Sequence, residues 1–164
     1  MKRIILTMML IVPMTVMAQK FGHVDSATLL KELPEIAKID GELQALAGQY
    51  EKKLKDLQDE LKRKYDEYEK TKATMSAAAQ KEAEASLQEL SQKVQQTYND
   101  SQQDLDKQKA DKLAPVYDKV RKAIDNVGKA GQYTYIFEAA NALYVGANAK
   151  DVSAEIKAEL EKMK

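Results

Sequence analysis

His23 is the only histidine in the chain, and cysteine is absent. These two residue types supply many of the nucleophiles, general bases and metal ligands that work near neutral pH. Little catalytic chemistry is therefore within reach. His23 lies in Phe21-Gly22-His23-Val24-Asp25, a short alternating run that predicts a strand, and a structural or surface role is expected for it. A histidine-based triad would have to use His23, and no nucleophile-elbow sequence accompanies it. The lack of cysteine excludes disulfides, thiolate zinc sites and a lipid-modified N-terminal cysteine. Gly128-Lys129 resembles the end of a phosphate-binding loop, but Ala130 follows it and Ala123 stands where the first Gly should be. The many carboxylates recur at helix-surface spacing, where they serve as solvated partners of Lys. The expectation is a protein that is not an enzyme, with no catalytic residue, cofactor or metal.

The stretch 35–127 has the spacing of long amphipathic helix. Its first half carries Leu43, Leu46, Tyr50, Leu54, Leu57, Leu61, Tyr65 and Tyr68, and its second half Leu87, Leu90, Val94, Tyr98, Leu105, Val116, Val120, Ile124 and Val127. Steps of three and four put each set on one narrow stripe. The halves mirror each other. Tyr50 matches Leu105, Leu57 matches Tyr98, Leu61 matches Val94, Tyr65 matches Leu90 and Tyr68 matches Leu87, each pair of numbers adding to 155. This predicts an antiparallel helical hairpin that folds back near Ala77 and Ala78, with arms of about 60 Å. Ser76 can cap the second arm. The alternative is one unbroken helix in a parallel coiled coil, because no strong helix breaker lies between Thr74 and Ala79.

The flanks read differently. Met1-Lys2-Arg3 followed by an apolar run to Val16 predicts a signal peptide over residues 1–18, cut before Gln19. Asp25 or Ser26 can cap a short helix bearing Leu29, Leu30 and Leu33, and Pro34 suits the first turn of the long arm. Pro115 predicts a kink in the returning arm. Gly128 to Gly131 end that arm. Tyr133–Phe137 and Ala142–Val145 read as strands, and Asp151 can cap a last helix in which Val152, Ile156, Leu160 and Met163 share a face. The expected organisation is a body of residues 19–33 and 128–164 with an arm of residues 34–127. Three short strands make a poor isolated sheet, so sheets from several chains are expected to close around a shared core. Candidate assembly residues are Phe21, Val24, Tyr135, Phe137, Leu143 and Val145.

The opening Phe21-Gly22-His23-Val24-Asp25-Ser26, the charged hairpin, the closing Tyr135-Ile136-Phe137-Glu138-Ala139-Ala140-Asn141-Ala142-Leu143-Tyr144-Val145 and the later Asp151-Val152-Ser153 resemble the Skp/OmpH family of periplasmic chaperones. The closing segment is the most specific carrier. The resemblance implies a mostly α fold: a long antiparallel coiled-coil hairpin on a small β-barrel formed by trimerisation. It implies a homotrimer whose arms enclose a cavity and hold unfolded outer-membrane proteins without ATP. The family's best-known members are strongly basic. Here, removing residues 1–18 takes Lys2 and Arg3 from 26 basic residues and leaves 24 against 26 acidic ones, a net charge of −2. That balance gives no footprint for nucleic acid. Near the tip, Lys70, Lys72 and Lys81 are accompanied by Glu69, Glu82 and Glu84, which leaves contact with a membrane surface open.

Two roles remain for the arm tyrosines. The seam spacing predicts that Tyr50, Tyr65, Tyr68 and Tyr98 fill the space between arms; the alternative, shared by Tyr117, is a working surface for unfolded clients. At the tip, Met75 with Ala73, Ala77, Ala78 and Ala79 form the candidate client contact, because Met adapts to varied partners. The leading function is a periplasmic holdase, and the alternative is a coiled-coil spacer or tether in the envelope.

Overall fold

The computed structural model describes residues 19–163; the expected signal peptide lies outside them. Strand β1 (Phe21–Val24) leads into helix α1 (Ser26–Lys31), then helix α2 (Pro34–Thr71). A short 3₁₀ turn over Lys72–Thr74 precedes helix α3 (Ala77–Ala130). Strand β2 (Tyr135–Glu138), a further 3₁₀ turn at Ala139–Asn141, strand β3 (Lys150–Asp151) and helix α4 (Ser153–Lys162) complete the chain. Helices α2 and α3 pack along each other as the antiparallel hairpin. Among the described residues no helix is long and apolar enough to cross a membrane.

Local chemistry explains the boundaries. Asp25 caps α1 by accepting the Thr28 amide at 3.0 Å and the Thr28 hydroxyl at 2.6 Å. The helix stops at Lys31, so Leu33 is not on it. Leu33 is extended, as the residue before a proline prefers, and Pro34 opens α2. The hairpin turns at residues 72–76 rather than at Ala77 and Ala78. Ser76 accepts the Ala79 amide at 3.3 Å, while the Gln80 side chain donates to the Lys72 carbonyl at 2.7 Å. Both anchor the turn before the alanines, which are strong helix formers and begin α3. Helix α3 continues through Pro115. That residue is exposed, as is Asp111, whose carbonyl loses its amide partner there. Ala142–Val145 is not a strand; the second strand paired to β1 on that side is Lys150–Asp151. The Ala139–Asn141 turn redirects the chain after β2, so Leu143 to Val145 pass outside the sheet despite their β-forming side chains.

The sheet order is β2-β1-β3, with β1 parallel to both neighbours. Phe21 lies opposite Tyr135, and His23 lies between Phe137 and Asp151. Gly22 and Val24 point to the helices. A Cβ on Gly22 would come within 3.1 Å of the Tyr133 ring and 3.2 Å of Val152, so the glycine permits close packing there. Behind the sheet, Val24, Leu29, Val120, Ala123, Val152, Ile156 and Leu160 form one core. The cap of α4 is Val152 rather than Asp151, which sits one residue earlier in β3 and accepts the Ser153 amide at 2.8 Å; α4 then delivers the fully enclosed Ile156 against the base of α3.

The arm seam is thinner. No residue of α2 is fully buried. Tyr50 donates to Asp104 across the seam, and Lys112 and Lys119 pair with Glu42 and Glu35 at 2.7 and 2.6 Å. These three contacts each add to 154 in residue number, one off the mirror read from the sequence, and the Tyr68–Glu84 contact near the tip adds to 152. Tyr50 and Tyr68 are half-buried, whereas Tyr65 and Tyr98 are 53% and 49% exposed and do not fill the seam. A pair of helices covers only one flank of each side chain, and a large ring projects beyond it.

Two stability results are expected. Ile156→Ala opens a cavity where the core is tightest and should cost about 2–5 kcal/mol in urea unfolding, whereas truncating exposed Lys93 should cost almost nothing. Acid should also weaken the body. Hydrogen bonds from Thr28 hold the Asp25 carboxyl below its ordinary value, and those from Ser153 do the same for Asp151. Depressed carboxyls contribute stability above the unfolded pKa and lose it as pH falls through the folded one. The urea midpoint should therefore drop below about pH 4, and Asp151→Asn should flatten that drop.

Candidate binding surfaces

The outer face of the sheet carries an aromatic stack. Parallel register sets Phe21 beside Tyr135 with ring centroids 6.0 Å apart, and Phe137 lies 6.2 and 5.7 Å from those two rings. All three remain about half exposed. The segment that leaves the sheet adds Leu143, wholly exposed, with Tyr144 and Val145. Exposed apolar faces of this kind are uncommon on the exterior of monomeric soluble proteins. Of the predicted assembly residues, Phe21, Tyr135, Phe137, Leu143 and Val145 are exposed, while Val24 is 3% exposed inside the protomer's own core. Strand alternation accounts for Val24: three positions from Phe21, it must face the opposite side of the sheet. His23 shares the outer face, and its Nδ1 is buried without a hydrogen-bond partner.

The second surface is the outer half of the arm. Ala73, Ala77 and Ala78 are exposed; Met75 and Ala79 are half-buried. Met75 is therefore less free than an exposed tip residue. Its sulfur lies 4.0 Å from Thr71 Oγ1, whose proton goes to the Glu67 carbonyl at 2.8 Å, and it lines a depression of about 320 Å³ with Tyr68, Ala83 and Leu87. On another flank Leu61, Tyr65, Tyr68 and Leu87 line an open groove of about 550 Å³. Tyr68 and Leu87 belong to both hollows. Sequence spacing assigned Leu61 and Leu87 to the seam alone and kept a working surface only as the alternative for Tyr65; the available signal was the mismatch between large rings and a seam only two helices wide. The Tyr68 hydroxyl donates to Glu84 at 2.5 Å, and this bond to a carboxylate raises the Tyr68 pKa. Tyr68 thus stays a neutral donor, fixed across the arm.

A third hollow, about 140 Å³, lies where the arm meets the body. Leu29, Leu33, Pro34 and Leu160 line it, and the Glu32–Lys157 and Glu35–Lys119 pairs stand at its edge, each within 2.7 Å. Both cations are matched to carboxylates, which makes this a joint between elements. Among the described residues no group of three His, Asp or Glu side chains is gathered to hold a metal ion. The chemistry offered by the surfaces is apolar and aromatic contact with scattered charge.

The family model described as outer membrane protein (OmpH-like) matches residues 20–160. A comparison with curated proteins found no match. Among solved structures, a candidate outer membrane chaperone (OmpH-like) from Caulobacter crescentus CB15 superposes with a TM-score of 0.78 at 16% identity, over 89% of this chain and 86% of that one. That likeness shows the shared fold of a hairpin on a small stranded body. The family match spans both feet of the hairpin and all three strands, and by it the chain belongs to the OmpH-like family, the Skp/OmpH periplasmic chaperones.

Proposed function

We propose that the protein is an ATP-independent periplasmic holdase that binds unfolded outer-membrane proteins as a homotrimer and keeps them from aggregating. The observation that carries this reading is the combination of an arm whose apolar seam is only half covered with a body whose aromatic sheet face is bare. The bare face fits closure against two further copies, with Phe21, Tyr135, Phe137, Leu143 and Val145 at the contact and Val24 supporting the sheet from behind. The arms then project together from one body. Family membership and the chaperone description of the Caulobacter protein support the same role.

Holding by such arms depends on number rather than on strength. Met75 and Ala73, Ala77, Ala78 and Ala79 offer small apolar areas, and the stems of neighbouring Lys and Arg add a little more. Each contact is weak and replaceable. Three arms around one client raise the effective concentration of the second and third contacts, so avidity supplies affinity while single contacts exchange. Release then requires no nucleotide, in keeping with the absent phosphate-binding loop. Contact between the tips and a membrane surface would be a separate property of the mixed charges near Lys70, Lys72 and Lys81.

Two tests follow. Phe137→Asp puts a charge on a face that is 51% exposed in the protomer, so the protomer should stay folded while light scattering shows the trimer dissociating. Deleting residues 55–68 and 84–97 removes matched heptads from both helices and keeps the turn at 72–76. The shortened protein should remain a folded trimer and lose most of its protection of a urea-diluted outer-membrane barrel, read as turbidity. If it protects as well as the full-length arms, the arms are not the holding surface and the envelope-spacer reading takes its place.

A further inference from the structure

The groove on the outer half of the arm has a chemical preference. Leu61, Leu87 and the Tyr68 ring are half-buried and make its apolar floor, and Tyr65 stands at the edge, 53% exposed. Two opposite charges line it, Lys62 and Glu84, and they are not equivalent. Glu84 already accepts the Tyr68 hydroxyl at 2.5 Å. Lys62 makes no hydrogen bond or ion pair among the described residues. On its other side Lys62 lines an adjoining hollow with Arg63, Lys70, Asp59, Asp66 and Glu67; Asp59 is held by Lys55 at 3.0 Å, so the three cations there face two uncommitted carboxylates. Lys62 is thus the charged group that gains most from an arriving partner, and that partner is a carboxylate.

We propose that this groove is a client side-chain site that selects an aromatic residue adjacent to an acidic one in an extended, unfolded segment. The aromatic ring lies on the Leu61–Leu87 floor, where Tyr65 and Tyr68 offer ring faces and edges for stacking. The neighbouring carboxylate reaches Lys62. A basic neighbour would instead be repelled by the unpaired Lys62 ammonium and would find Glu84 with one oxygen already engaged by Tyr68. The proposal rests on the holdase reading and deepens it, by naming what the arm prefers within an unfolded chain.

The test uses the mature full-length protein with labelled leucine methyls, titrated with N-acetylated, C-amidated Phe-Asp, Phe-Lys and Ala-Asp dipeptides. Phe-Asp should shift the Leu61 and Leu87 methyls with a Kd on the order of 1 mM, as expected for one small contact. Ala-Asp should bind about tenfold more weakly for loss of the ring, and Phe-Lys about threefold more weakly for loss of the charge match. Lys62→Glu, a surface exchange, should reverse the order of Phe-Asp and Phe-Lys. Tyr65→Ala should weaken Phe-Asp about fivefold. The same wild-type preparation is assayed for protection of a urea-diluted outer-membrane barrel. Protection without shifts at Leu61 and Leu87, or with shifts indifferent to ring and charge, overturns the groove and leaves the holdase standing. Loss of protection by the wild-type protein overturns the holdase itself, and the client site with it.

Discussion

The whole molecule depends on pinning the two feet of one long hairpin. Strand β1 precedes α2, and β2 and β3 follow α3, yet all three lie side by side in parallel. The hairpin is therefore the crossover between β1 and β2, far longer than the dozen or so residues such a connection needs. Loop-closure entropy opposes so distant a pairing, although the cost grows slowly with length and the helices stiffen the path. What offsets it is the core formed by Val24, Ala123, Val152 and Ile156, in which residues from both ends of the chain meet the base of α3. Ala123, at 0% exposure, shows how close α3 comes: a larger side chain there would hold the helices apart.

Away from that base the arm has a different economy. Its ion pairs are exposed, and pairs of that kind contribute about 0–1 kcal/mol each. The polar links from Tyr50 to Asp104 and from Tyr68 to Glu84 have greater value as markers of register, since each fixes one helix face against the other. A seam of mostly half-buried leucines, with Leu90 buried from the α3 side, and two tyrosine clamps keep the helices together while enclosing little apolar interior. An arm built this way retains a stripe of partly exposed apolar atoms along its length, which a thicker bundle would have hidden.

The hairpin was legible because one physical rule governs it. Helical steps of three and four, repeated in mirror order, bring the paired positions to within one residue of the contacts at Tyr50, Glu42 and Glu35. Capping chemistry was equally direct for Asp25, Pro34 and Ser76, each of which stands at a helix start for a local reason, whereas Asp151 lies one residue before the cap of the last helix. The turn was misplaced because mirror symmetry assumes equal arms, whereas a side-chain cap fixes where a helix begins. Ala142–Val145 failed for another reason. β-propensity describes fit to a half-buried pleat and says nothing of whether a partner strand is within reach. Lys150–Asp151 carries no strand signal of its own and pairs with β1 because α4 anchors it. The aromatic sheet face was legible by residue type, but the separation of Phe21 from Val24 needed the two-residue period. The arm groove was not legible, because periodicity tells which stripe faces the partner helix and not how much of a tyrosine that partner covers.

The two incompletely buried surfaces differ in a way that suits different partners. On the sheet, Phe21, Tyr135 and Phe137 are stacked on a backbone held by strand pairing, so their relative positions are fixed before any contact forms. Such preorganisation lowers the entropy cost of association and favours one geometry. On the arm, the apolar atoms lie in shallow hollows on both flanks of the seam, lined by Lys, Glu and Gln side chains that can reorient. Adaptable surfaces of that kind tolerate many ligands at modest affinity. One chain thus leaves apolar surface bare at both ends, on a strand-paired scaffold in the body and in shallow hollows along the arm.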